Sequence, residues 1–130
     1  MDVTVDASVL IAVIGNEPSR ERAIALAAGH SLLAPQSVHW EIGNALSAML
    51  KRQRVSLAQA LACIDAYRQI PIRLVDLDLK SALVLAEPLR VYAYDAYLLA
   101  CARQFHTPLM TLDEPLKAAA ATLGISVLEV

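Results

Sequence analysis

The stretch VTVDASVLIAV, residues 3–13, decides the fold. A β-rich run, Asp2 to Val5, meets a short apolar helix, Ser8 to Ile14, and one carboxylate, Asp6, stands at the junction. Both segments head for the core, as in a βα unit. Asp6 has two readings. Aspartate is a good helix cap, and a carboxylate pinned between a buried strand and a buried helix is also a rigid functional group.

The rest of the chain repeats this alternation. NEPSRERAIALAAG (16–29) reads as a helix with Pro18 in its first turn and Gly29 at its end. SLLA (31–34) is a short buried strand that Pro35 breaks. Residues 37–52 form a helix with Val38, Ile42, Ala45, Leu46 and Met49 on one face. Ser56 caps the next helix, and IPIRLVDL (70–77) is a strand with Pro71 at its start. Leu79 to Glu87 is helical until Pro88, YDAYLLACARQF (94–105) is helical, and PLMTLD (108–113) ends a strand. EPLKAAAATLG and ISVLEV supply the last helix and strand. Such alternation predicts a three-layer α/β/α sandwich around a central parallel sheet, in a single domain over residues 1–130.

The composition narrows the class. The chain is 57% hydrophobic with mean hydropathy +0.49, which leaves apolar surface for a partner or a second copy to cover. No apolar run reaches the roughly 20 residues of a membrane span. Asp2 stands where a signal peptide would be basic. Cys63 and Cys101 are far apart and read as free thiols, so a cytoplasmic setting is expected. A net charge of −2 does not mark a nucleic-acid binder. It does not exclude one either, since a bound cation adds charge that the count omits.

Ligands of open parallel sheets bind beyond the C-terminal strand ends. Asp6 ends the first strand, Asp113 ends PLMTLD, Asp95 opens a helix, and Glu41 lies early on the helix after SLLAPQ. Four carboxylates from four segments are thus expected at one sheet edge. Like charges about 4 Å apart repel by roughly 1–4 kcal/mol, so protonation or a hard cation such as Mg²⁺ or Mn²⁺ must relieve them. The chemistry of such a site is phosphodiester hydrolysis. Locally, Asp6, Asp95 and Asp113 also suit helix caps. Asn44 shares a helix face with Glu41. Asp65, Asp76, Asp78 and Glu129 read as surface or turn charges, with Asp76 and Asp78 in reserve because they follow a strand. Lys51, Arg52 and Arg54 complement a helix end. Trp40, Tyr92, Tyr94 and Tyr97 read as packing groups.

VDASVLIAV, WEIGNAL, YDAYLLACA and LMTLDEPL, in this order across nearly the whole chain, resemble the PIN-domain ribonucleases, and the VapC-type toxins of toxin–antitoxin systems most. The resemblance implies that Asp6, Glu41, Asp95 and Asp113 bind Mg²⁺ or Mn²⁺ and cut RNA, with Ser8, Asn44 and Thr111 in support. It also implies a homodimer silenced by a cognate antitoxin. Leu116 replaces a phenylalanine common in the family, which alters packing, and Pro88 lies close to the usual helix–helix turn. All four acids are present, against an inactive copy.

Two other classes compete. A PIN-fold binding module would keep the fold without turnover. A receiver-like signalling domain would need paired acids after the first strand and a lysine after a later one, and neither is here. A dehalogenase-like phosphatase needs D-x-D, where this chain has Asp6-Ala7-Ser8.

Overall fold

A computed structural model describes all 130 residues. Five strands, β1 (Asp2–Val5), β2 (Ser31–Pro35), β3 (Ile72–Val75), β4 (Leu109–Met110) and β5 (Val127–Leu128), form one parallel sheet in the order β3-β2-β1-β4-β5. Seven helices connect them: α1 (Ala7–Ile14), α2 (Arg20–Ala27), α3 (Ser37–Lys51), α4 (Leu57–Arg68), α5 (Leu79–Leu89), α6 (Ala93–Gln104) and α7 (Glu114–Thr122).

Strand order sets the layers. From β1 to β3 the chain steps in one direction, and right-handed crossovers put α1 to α4 on one face. It then returns across the sheet to β4, on the far side of β1, and α5, α6 and α7 cover the other face. The sandwich expected from the alternation is therefore present. Between β1 and β4 the crossovers leave toward opposite faces, which opens a crevice at the C-terminal strand ends.

The core explains why these segments settle as they do. Val3 and Val5 of β1, Leu33 of β2, Val9 and Leu10 of α1, Ile42 of α3, and Leu98 and Leu99 of α6 are buried. On α3 the apolar face holds, with Val38, Ile42 and Leu46 buried and Ala45 and Met49 packed beside them. Ser56 closes a reciprocal capping box with Gln59 at 3.1 and 2.8 Å, as its position implied. Both cysteines are free.

Several boundaries differ: β3 is Ile72–Val75 and β4 Leu109–Met110, both shorter than read, and three others have a local cause. Strand β2 runs through Pro35, which pairs with Val75, since a terminal residue need not donate to the ladder. Helix α2 starts at Arg20 because Asn16, at φ 53°, turns the chain left-handed after α1 and leaves Pro18 in a turn. Helix α5 continues past Pro88 to Leu89. Its missing N–H falls in the last turn, where the lost bond to the carbonyl of Val84 costs less than in the helix interior.

Candidate active site

Asp6 leaves β1 on the crevice and is 7% exposed. It occupies the N-cap position of α1, but its side chain makes no capping bond. Oδ2 instead accepts from Ser8 Oγ at 2.8 Å and from Thr111 Oγ1 at 2.7 Å. The capping reading of Asp6 is thereby set aside. Its other oxygen, Oδ1, receives no hydrogen bond from the protein.

Thr111 follows β4 and ties two acids together. Its hydroxyl donates to Asp6 and accepts from the Asp113 N–H at 3.0 Å. Ser8 Oγ likewise accepts from the Leu112 N–H at 3.0 Å. The pairing of Thr4 with Leu109 and of Val5 with Met110 sets this register. A buried Thr4–Thr107 hydroxyl contact of 2.7 Å reinforces it below the site. Asp113 caps α7, accepting from the Leu116 N–H through Oδ1 at 3.1 Å, so one of its oxygens stays available.

Glu41 comes from α3 and Asp95 from the first turn of α6. Asp95 is a first-turn residue, not the cap, which is Tyr92. Electrostatics place these acids together. Burial, then the charges of Asp6 and Asp95, push the Glu41 carboxyl up from 4.5 to about 7. Burial, then the charges of Asp113 and Asp6, push Asp95 above its ordinary value. Each of the four carboxylates therefore lies within the field of another. Glu41 Oε2 is buried without a hydrogen-bond partner. Asn44 is exposed and makes no hydrogen bond, so nothing in the structure ties it to the acids.

No three His, Cys, Asp or Glu side chains gather closely enough to chelate an ion among themselves. The donor set still fits a hard cation. It is all oxygen, half-buried, mutually repelling, and includes an orphaned carboxylate oxygen. Mg²⁺ commonly takes one or two carboxylates and completes its shell with water. The larger cavities lie elsewhere, such as one of about 510 Å³ between α5 and α6 beside Asp78 and Arg103. Asp78 itself is a cap, held below the usual carboxylate range by the hydroxyl and N–H of Ser81.

Sequence reasoning missed one feature. Trp40 is 68%, Tyr92 87% and Tyr94 47% exposed, so none belongs to the core, although Trp40 meets His39 and Tyr94 meets Tyr97 edge-to-face. Each stands next to or near a site acid in the chain, and that adjacency was the available signal.

A PIN domain model matches residues 3–121. No curated protein matches the chain. Among solved structures, PAE2754 from Pyrobaculum aerophilum is 24% identical with a TM-score of 0.75, over 98% of this chain and 83% of that one. A toxin–antitoxin complex from Klebsiella pneumoniae is 14% identical with a TM-score of 0.67, over 98% and 96%. VapC20 of Mycobacterium tuberculosis, a sarcin–ricin-loop-cleaving toxin, is 17% identical with a TM-score of 0.64, over 90% and 94%. At these identities the likeness to solved structures is one of fold. The family match spans most of the chain, including the β1–α1 junction and the β4–α7 junction that carry the crevice, and the chain belongs to the PIN domain family.

Proposed function

We propose that the chain is a cytoplasmic, metal-dependent endoribonuclease of VapC type, neutralised by a cognate antitoxin. One observation carries this reading: Glu41 and Asp95, on two separate helices, both have their proton affinity raised by burial and by the charges of the neighbouring site acids Asp6, Asp95 and Asp113. Such a set is costly unless it serves a cation. The sarcin–ricin-loop-cleaving neighbour supports RNA as the substrate class, and the Klebsiella complex supports an antitoxin partner.

Asp6, Asp95 and Asp113 would hold Mg²⁺ or Mn²⁺, directly or through water, with Glu41 in the same set. The cation would make hydroxide accessible near neutral pH and neutralise charge on the phosphoryl oxygens. The protein's part is positioning. Ser8 and Thr111 fix Asp6 Oδ2 and leave Oδ1 to face the crevice. Thr111 holds Asp113 in register with Asp6. Glu41 keeps its proton up to near neutrality and yields it when positive charge enters. The reaction is hydrolysis of the P–O3′ bond, with a 5′-phosphate on the downstream product.

The homodimer belongs to the same proposal. Leu57 and Leu61 on α4, and Leu79 and Leu83 on α5, are exposed at one-turn spacing, one pair on each face of the sheet, and either pair offers apolar surface for a second copy. No helix is long and apolar enough to cross a membrane.

Asp6→Asn and Asp95→Asn test the assignment. Each should lower Mn²⁺-dependent RNA cleavage about 100-fold or more and abolish growth arrest on expression. Full activity in both ends it. The looseness of the acid set would also suit a silent binding module. Calorimetry separates the two, since a module takes up no Mn²⁺.

A further inference from the structure

A cavity of about 230 Å³ opens over the C-terminal ends of β2 and β3, where Pro35, Val75 and Asp76 leave the sheet, and Ser37, Leu79 and Tyr97 close it. We propose that this cavity is a base-binding subsite, which seats one unpaired nucleobase of the RNA strand and reads it through Asp76. The inference rests on the nuclease reading above.

Position is the first support. The cavity lies one to two strand spacings from Asp6, roughly 5–10 Å, a span that suits a neighbouring nucleotide of the same strand. Its walls come from the two helices that carry site acids. Ser37 stands one turn before Glu41 on α3, and Tyr97 two residues after Asp95 on α6.

Shape and chemistry are the second. The space is smaller than the roughly 300–1,000 Å³ of ordinary small-molecule pockets and suits a single planar base. Pro35, Val75 and Leu79 give apolar walls. The Tyr97 ring is braced edge-to-face by Tyr94, with centroids 5.9 Å apart and planes at 77°. Unstacked bases seek such aromatic surfaces, each worth about 5- to 150-fold in affinity.

Polarity selects the base. Asp76 is exposed and makes no ion pair or hydrogen bond within the protein. A carboxylate repels phosphate and accepts N–H donors, which favours a base over the strand's backbone. Guanine offers two parallel N–H groups on its pairing edge, matched to the two oxygens of a carboxylate. Ser37 lines the same cavity, and its Oγ, buried behind the wall, has no hydrogen-bond partner.

The test cleaves RNA of randomised sequence with the 130-residue chain and Mn²⁺, then sequences the new ends. Guanine should be enriched at one position within about two nucleotides of the cut. Asp76→Asn should weaken that enrichment at least about fivefold, and inosine at that position should copy the effect. Tyr97→Leu should raise KM about 5- to 150-fold, and Tyr97→Phe should restore it. Unchanged base preference in Asp76→Asn, with cleavage retained, overturns the subsite alone. Asp76 lies outside the core, so this holds even if Tyr97→Leu folds poorly. A wild-type chain that cuts no RNA with any divalent cation overturns the nuclease reading, and the subsite with it.

Discussion

At the scale of single residues, the site depends on hydroxyls more than on its acids' neighbours in the chain. Thr111 contacts Asp6 and Asp113 at once. Thr111→Val should leave the buried Asp6 Oδ2 with one donor, lower stability by about 1–3 kcal/mol, and reduce cleavage about 10- to 100-fold. Thr111→Ser should keep most of both, as melting curves and cleavage assays would show. Glu41 gives a pH prediction. Its carboxyl rises from 4.5 in the ordinary state to about 7 in the fold, so between these values the folded chain holds more protons than the unfolded one. The associated stability is fully present below pH 4.5 and is lost as pH rises through about 7. Allowing for solvent screening of a half-buried group, the loss is about 1–2 kcal/mol. In chelator the melting temperature should therefore fall between pH 5 and pH 8 by about 2–8 °C. Mg²⁺ should raise it more at the upper pH. The four acids stood out in the sequence because Asp6 and Asp113 follow strands and Glu41 and Asp95 lie early on helices. What Asp6 bonds to was not, since its partner Thr111 lies 105 residues away.

At the scale of elements, most helix boundaries were readable to within two residues, and the start of α2 was not. Ser56, Asp78 and Asp113 announce starts by chemistry that needs only adjacent residues. The ends reuse one device with unusual residues. Asn16, Gln53, Arg90 and His106 all take φ near 53–56° just beyond α1, α3, α5 and α6. After each, the next N–H bonds back five residues, as Arg54 does to Met49 at 2.9 Å and Thr107 to Ala102 at 2.9 Å. Glycine normally marks such a turn. Without it, the delayed start of α2 leaves no signal in the composition, although the end of α1 at Ile14 was read as it stands. Gln53→Gly should relieve the left-handed strain and raise stability by about 0.5–1 kcal/mol, read as an upward shift in denaturant midpoint with unchanged slope.

At the scale of the whole molecule, the alternation of helix and strand was enough for the layers, while the position of β1 between β2 and β4 came only with the tertiary pairing. On the proposed dimer reading, Leu83→Glu should shift the chain toward monomer in light scattering while the monomer's own fold is kept, because Leu83 is 59% exposed. The sheet order has a further consequence in time. Strand β1 is synthesised first, but its neighbour β4 follows roughly a hundred residues later, on the order of 5–20 seconds at ribosomal rates. Through that interval Asp6 has met neither Thr111 nor Asp113. The crevice therefore stays unfinished until β4 and the residues that follow it have been made and have paired with β1.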